Sequence, residues 1–211
     1  MARSIPVTTR FIIPRAELSR RLPRLILGLV AFGFGLALMI NADLGLSPWD
    51  VLHQGISQRT GIPIGTVVIL VGFTLLLIWI PLRERPGIGT IANAVLIGAT
   101  VDLTLLWLPQ PDLMWQRLLF MTVGAFLLGP GSGLYIGAGL GPGPRDGLMT
   151  GIARRGPSVR RVRTLIELSA LTIGFLLGGT VGLGTLLFAL TVGPNVQFFL
   201  ERWSLPTSVS R

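Results

Sequence analysis

The chain has 211 residues, of which 50% are hydrophobic and only 13% are charged, which excludes an ordinary soluble domain and predicts a membrane protein. Its net charge of +9 comes from arginines in short clusters between apolar runs, which is typical of membrane topology signals and excludes a nucleic-acid interface. The absence of cysteine and the single histidine exclude a disulfide framework and a multi-histidine metal site.

Six apolar stretches are long enough to cross a bilayer, which takes about 20 residues of helix. They are residues 25–42, 64–82, 88–108, 118–138, 164–181 and 183–200. Two further stretches, 44–59 and 140–156, mix Pro, Asp and other polar residues, so we expect short broken or re-entrant helices there. The predicted fold class is an all-α multi-pass membrane protein with six transmembrane helices.

The arginine positions predict the orientation. If the N-terminus is cytoplasmic, every arginine except Arg59 and Arg117 falls on the cytoplasmic side of a six-span chain. Positive charge concentrates on that side of membrane proteins. We therefore expect a multi-pass protein of the bacterial plasma (inner) membrane with both termini in the cytoplasm.

A pattern occurs twice, as LGLSPWDVLHQGI at 44–56 and as LGPGPRDGLMTGI at 140–152, with an offset of 96 positions. At the same offset, Gly28, Gly33 and Gly35 match Gly124, Gly129 and Gly131. The chain is therefore predicted to contain two copies of one unit. Because each copy holds three spans, an odd number, the second copy must enter the membrane the opposite way up, as an inverted repeat.

The predicted organisation has five parts. They are a cytoplasmic Arg-rich N-terminal segment 1–24, a first repeat 25–108, an external connector 109–117, a second repeat 118–200 and a cytoplasmic tail 201–211. Equivalent loops carry opposite charge patterns, since the loop with Arg83 and Arg85 in the first copy corresponds to GGTVGL in the second. This supports the inversion.

The duplicated motif has the composition of a helix start. Ser47 is a good N-cap, Pro48 suits the first helical position, and the carboxylate of Asp50 can bond back to the cap amide. The second copy repeats the arrangement with Gly143, Pro144 and Asp146. Two interpretations stay open: the aspartates only cap two short helices, or the two helix N-termini and carboxylates line a ligand or ion path.

Three further side chains near the motifs carry chemistry. His53 lies one turn after the first motif aspartate, where we expect a polar cavity-lining residue or a proton-linked group. Arg145 stands in the second copy where the first has Trp49. Glu167 follows Arg163 by one turn, which indicates either a helical ion pair or a proton or cation site. The predicted path residues are Pro48, Asp50, His53, Pro144, Arg145, Asp146 and Glu167.

Other polar and aromatic residues have simpler predicted roles. Trp79 and Tyr135 are predicted to anchor helices at the bilayer interface, and Asp102 to be an interfacial polar residue. Asn93 and Asn195 are expected to bond between helices. The chain has no nucleophile elbow, no paired-histidine helix motif and no P-loop Lys-Ser/Thr, so we expect no enzyme activity, no cofactor and no metal.

The two motifs, with the Arg-rich sequence and Glu167 that follow the second, resemble the YczE-type bacterial integral membrane proteins, which are similar to the YitT-type group. The resemblance extends from about residue 25 to 200. It implies a bacterial inner-membrane protein of several spans. Its motif positions here are Pro48, Asp50, Pro144, Arg145, Asp146, Gly147 and Glu167.

The sequence therefore favours a small inner-membrane transporter or channel for an ion or small polar solute, with a path at the interface of two inverted halves. Two alternatives stay open: a membrane scaffold or regulatory protein that acts on a partner through the Arg-rich loop 154–163, and a substrate-binding subunit of a larger transport complex. The expected partners are the lipid bilayer, a small polar solute or ion, and a second copy or another membrane protein. Nucleic acid is not expected.

Overall fold

A computed structural model describes residues 15–205, and within that range the chain is all-helical with eight helices. They are α1 (Arg15–Ala42), α2 (Pro48–Thr60), α3 (Ile64–Leu82), α4 (Ile88–Trp107), α5 (Met114–Gly137), α6 (Pro144–Ala153), α7 (Val159–Leu176) and α8 (Leu183–Trp203). The predicted terminal segments 1–24 and 201–211 lie partly outside the described residues. The two short predicted helices are α2 and α6.

Five of the described helices are long and apolar enough to cross a membrane, which makes the protein a multi-pass membrane protein. They are Glu17–Ala42, Ile64–Leu82, Ile88–Trp107, Met114–Gly137 and Leu183–Trp203. The sixth predicted span, 164–181, is not among them. The Ser158 side chain accepts a hydrogen bond from the Arg161 N–H at 3.3 Å, so the helix begins earlier and includes charged residues of the basic loop.

α1 and α5 form the central helix pair, and they run antiparallel. Gly28 lies against Gly131, and Gly35 lies against Gly124. A Cβ on Gly28 would stand 2.7 Å from the Gly131 carbonyl oxygen, and one on Gly35 would stand 2.8 Å from the Gly124 oxygen. Small residues at these positions let the two backbones approach closely, which is how helices associate in lipid.

The outer helices are packed unequally. α4 packs on α1, and α8 packs on α5. α4 has a second neighbour, α3, but among the described residues α8 makes no comparable interface with α7. Backbone contact between Gly65 and Gly98 closes the α3–α4 pair. At Gly193 of α8, a Cβ would have no neighbour within 4 Å, and of the α8 residues only Gly184 is buried.

The remaining contacts join α2, α3, α6 and α7 into a four-helix ring. α2 packs on α3 and α7, and α6 packs on the same two helices. Among the described residues the opposite pairs, α2 with α6 and α3 with α7, make no comparable packing contact. Buried apolar side chains fill the ring, including Trp49 from α2, Leu75 from α3, Leu148 from α6 and Ala170 from α7. The two motif helices therefore face each other across the ring.

The loops before α2 and α6 have matching backbones. Asp43 and Gly45 adopt φ values of 51° and 106°, and Gly139 and Gly141 adopt 65° and 127°. Positive φ is costly for residues other than glycine, so these tight turns suit glycine at three of the four positions.

Each of these loops is tied to the start of a helix in the other half of the chain. The Leu44 carbonyl accepts a hydrogen bond from Gly184 N–H at 2.7 Å, and the Leu140 carbonyl accepts one from Gly89 N–H at 2.9 Å. These bonds hold the loop before α2 against α8, and the loop before α6 against α4.

Candidate functional site between the motif helices

The N-terminus of α2 begins as the sequence predicts, with Ser47 as N-cap and Pro48 as the first helical residue. The Ser47 Oγ accepts a hydrogen bond from the Asp50 N–H at 3.4 Å and donates one to the Asp50 carboxylate. Asp50 therefore bonds to the hydroxyl of the cap residue, and not to the cap amide as predicted.

The Asp50 carboxylate has two more partners. Its Oδ1 lies 3.3 Å from His53 Nδ1 and 3.4 Å from Nη2 of Arg145. The Asp50 and His53 side chains are buried, with 6% and 1% of their surfaces exposed. An ionised carboxylate only accepts hydrogen bonds, so His53 Nδ1 carries the proton and Nε2 is left as an acceptor.

Arg145 connects the two motifs, because it extends from the first turn of α6 to α2. Its guanidinium lies 5.2 Å above the Trp49 ring and donates to the Asp50 carboxylate. A cation over an indole face is stabilised by the negative face of the ring. Ser47, Trp49, Asp50, His53 and Arg145 are hereafter called the Asp50 cluster.

Two polar atoms of this cluster lack partners. Within residues 15–205, Trp49 Nε1 and His53 Nε2 are the buried side-chain nitrogen or oxygen atoms without a hydrogen bond. Trp49 is 8% exposed and His53 is 1% exposed. Their positions, i and i+4, place them one turn apart on the same face of α2.

The second motif aspartate behaves differently. Asp146 is the third residue of α6, and its carboxylate lies beside the N-cap residue Gly143. Asp146 is exposed on the surface of the chain, whereas Asp50 is buried. The charges that act on Asp146 come from Arg145, Arg163 and Glu167.

The remaining predicted path residues are separate from the cluster. Arg163 Nε donates to Glu167 Oε1 at 2.9 Å, so the predicted helical ion pair is present on α7. Pro144 is the first residue of α6, and its carbonyl accepts a hydrogen bond from Trp79 Nε1 at 3.0 Å. Glu167 is therefore not brought into contact with Asp50 or His53.

The sequence missed the roles of Trp79 and Tyr135. Both are buried, at 1% and 7% exposure, so their predicted role as interfacial anchors is wrong. The Trp79 ring occupies the space beside Gly147, where a side chain on α6 would collide with it. Tyr135 lies beside Ser132 and Asn93. A signal was present, because the second copy has Gly147 where the first has a bulkier residue.

Two other sequence predictions have definite outcomes. Asn195 Nδ2 donates to the Phe126 carbonyl at 2.8 Å, which confirms that it bonds between helices. Asp102 caps the start of α3, where its carboxylate accepts from the Gly65 N–H at 2.6 Å and from the Thr66 hydroxyl at 2.8 Å. Its place is thus a helix N-terminus, where a carboxylate is electrostatically favoured.

The Asp50 cluster contains one carboxylate and one imidazole. In the part of the chain that the structure describes, no three His, Asp or Glu side chains come together to hold a metal ion. A cavity of about 330 Å³ lies elsewhere, at the ends of α1 and α4, lined by Asn41, Asp43, Gln110 and Arg117.

Comparisons with known proteins identify relatives of similar length. Residues 19–201 match a family described as of unknown function, DUF6198. An uncharacterized protein of Haemophilus influenzae is 43% identical over 84% of this chain and 82% of its own. The uncharacterized membrane protein YczE of Bacillus subtilis is 38% identical over 86% and 84%. This confirms the resemblance derived from the motifs. No solved structure matches the chain significantly.

Proposed function

Since the chain belongs to the DUF6198 family, whose function is unknown, we propose from its architecture that it is a small inner-membrane transporter or channel. Its path runs between two inverted halves, through the four-helix ring, and carries an ion or small polar solute. The observation that carries the proposal is the contact of Arg145 with Asp50, which joins the N-termini of α2 and α6 across the ring. Ionisable groups at membrane depth usually face a pathway.

Backbone geometry supports a repeat of residues 25–108 in residues 118–200. The cap residues Ser47 and Gly143 have φ, ψ values of −64°, 158° and −62°, 157°. Arg83 and Gly178, which follow the ends of α3 and α7, both have positive φ. With the positive-φ pairs Asp43/Gly139 and Gly45/Gly141, these make four matching pairs, three at an offset of 96 residues and one at 95, as expected for two copies of one unit.

The α1–α5 packing supports the inversion of the two copies. Gly28 contacts Gly131. Their counterparts in the other half of the chain are Gly124 and Gly35, and these two residues also contact each other. Such reciprocal pairs arise at a two-fold axis. Because α1 and α5 are antiparallel, this axis lies in the membrane plane.

The same geometry supports re-entrant motif helices. The loops that precede α2 and α6 leave α1 and α5 at opposite ends of this antiparallel pair. Nevertheless Arg145, the second residue of α6, contacts Trp49 and Asp50 in the first turn of α2. Two segments that start at opposite faces meet in this way if both extend toward the middle of the membrane. Broken helices of this kind line the sites of many transporters.

In this proposal α7 is the sixth transmembrane helix, and both termini are cytoplasmic. α7 belongs to the ring, and its 18 residues would extend about 27 Å, close to the hydrocarbon thickness of a bilayer. Its first two turns carry Arg160, Arg161 and Arg163, which suit the cytoplasmic interface.

The contacts of the basic loop favour transport over partner docking. Arg154 pairs with Glu84, and Arg155 donates to the Pro81 carbonyl at 2.8 Å and to the Gly151 carbonyl at 3.1 Å. These two arginines hold α6 against the end of α3. Both therefore have partners within the chain, while their side chains remain exposed at the surface.

The topology is tested by single cysteines, since the natural chain has none. Thr60 and Ser158 are both exposed, at the end of α2 and just before α7. In right-side-out membrane vesicles, Thr60→Cys should react with a membrane-impermeant maleimide from outside, and Ser158→Cys only after permeabilisation. Labelling of both from one side would refute the inverted arrangement.

The activity is tested in proteoliposomes that contain the full chain, with small inorganic anions, carboxylates, amino acids and monovalent cations as probes. We expect solute-specific flux that Asp50→Asn and Arg145→Gln abolish while both variants stay folded. Gln197→Ala is the matched control, because Gln197 bonds to Glu201 on α8, outside the ring. Flux that is unaffected by the two cluster variants would contradict a path through the ring.

A further inference from the structure

We propose that the Asp50 cluster binds a small monovalent oxyanion, a carboxylate or an inorganic oxyanion, together with one proton on His53. This inference rests on the proposed path, because it assigns a ligand class to the same site. It starts from the two unpartnered buried nitrogens, Trp49 Nε1 and His53 Nε2. A buried polar atom without a partner is rare and calls for a specific explanation, such as a ligand.

The donors of the cluster favour an anion. The Trp49 indole N–H only donates, and it lies on the helix whose N-terminal end meets the first turn of α6. The two helix N-termini bring partial positive charge from opposite sides. Arg145 adds a guanidinium, of which only Nη2 has a hydrogen bond to the cluster. The Trp49 N–H and the remaining guanidinium N–H groups are thus the donors that the cluster offers to an oxyanion.

A metal cation fits the site poorly. The Asp50 carboxylate already accepts hydrogen bonds from the Ser47 hydroxyl, His53 and Arg145. A cation bound there would displace these donors and would stand next to the Arg145 guanidinium. In this proposal the anion binds at Trp49 and His53, and Asp50 holds His53 and Arg145 in place through its hydrogen bonds.

Charge balance requires a proton with the anion. With Asp50 ionised, Arg145 charged and His53 neutral, the cluster has no net charge, and an added anion would bury an uncompensated negative charge. Protonation of His53 at Nε2 turns the acceptor into a donor and restores neutrality, while Asp50 stabilises the imidazolium through Nδ1.

The charged groups around His53 are few. Asp50 faces it from its own helix, and Arg145 acts on it from α6. α3 has no titratable side chain between Ile64 and Leu82. α7 carries charge at Arg160, Arg161, Arg163 and Glu167, of which the last two pair with each other.

The binding test uses the purified full chain, with sodium acetate and sodium nitrate as probes and sodium chloride, whose anion is not an oxyanion, as the ionic-strength control. Affinities are measured from the rise in melting temperature with anion concentration. From about pH 6 to about pH 8, the apparent Kd of a bound anion should rise about tenfold per pH unit, because one proton is taken up with each anion. Binding of acetate, nitrate or both supports the inference and identifies the class.

Two variants separate binding from structure. His53→Gln keeps a side chain that can bond to Asp50 but cannot carry the proton, so the pH dependence should disappear. Trp49→Phe keeps a ring beneath Arg145 and removes the N–H, so affinity should fall about tenfold at every pH. A merely structural role of His53 would leave the pH slope unchanged in His53→Gln, and that result would overturn the proposal, as would the absence of anion binding at about pH 6.

Binding and flux fail independently. Anion binding without flux in proteoliposomes would refute transport and leave the ligand assignment standing. Flux of a cation or an uncharged solute, with no binding of acetate or nitrate, would refute the anion site and leave transport standing.

Discussion

The N-terminal turns of α2 and α6 share a sequence pattern and nearly equal cap dihedrals, but their aspartates do different things. Asp50 is buried and bonds to His53 and Arg145, whereas Asp146 is exposed and its carboxylate lies beside Gly143. The local backbone is thus common to both motifs. The chemistry of each carboxylate depends on the side chains around it.

The packing of the two helices differs in a complementary way. On α6, Gly147 faces the large ring of Trp79 on α3. On α2, the backbone of the equivalent residue Val51 and of Leu52 lies against Gly174 on α7. The glycine therefore lies on the motif helix in one contact and on the neighbouring helix in the other. At α6 it makes room for a large ring, and at α2 the glycine on α7 lets two backbones approach closely.

The largest expected effect comes from giving α6 the residue that α2 has at this position. Gly147→Val would place a branched side chain in the space that the Trp79 ring occupies. The resulting overpacking should lower the free energy of unfolding by about 3 kcal/mol. Thermal unfolding in detergent measures the change. Thr150→Val, on the exposed face of the same helix, is the control and should change stability little. A stable Gly147→Val protein would show that α6 is not held against Trp79.

A smaller effect separates the two aspartates. Asp50→Asn removes the charge partner of Arg145 in a buried cluster and should lower stability by about 2 kcal/mol. Asp146→Asn weakens only a helix cap and should cost about 1 kcal/mol. Chemical or thermal unfolding of both variants, side by side, measures the difference. Equal losses would mean that the two motifs are energetically equivalent after all.

The smallest expected effect concerns another difference between the halves: among the described residues α8 has no second helix packed on it, whereas α4 is packed against α3. Gly193→Ala meets no neighbour and should raise stability by about 0.5 kcal/mol through higher helix propensity. Gly98→Ala at the equivalent place on α4 should lower stability, because its Cβ would collide with the Gly65 backbone. Melting temperatures of the pair provide the test. A loss at Gly193 would indicate that α8 has a packing partner there.

Features that depend on neighbours in sequence were predictable. The start of α2, with Ser47 as N-cap and Pro48 as first helical residue, follows from side-chain chemistry within one turn. The Arg163–Glu167 pair follows from helical spacing. The start of α7 was missed because Ser158 is itself a strong N-cap, so the helix begins before the apolar run. Hydropathy reports where a chain is apolar, and capping decides where a helix begins.

The sequence by itself determined the all-α membrane class, the two short motif helices and the glycines that let helices approach closely, because composition, periodicity and capping act locally. Only the tertiary structure decided that Arg145 reaches Asp50, that Trp79 is buried against Gly147, and that His53 and Trp49 keep unpartnered nitrogens. The first two features join residues that are distant in the chain, and the third depends on what packs around α2. The packing of the four helices determines which residues meet, and no local pattern in the sequence indicates it.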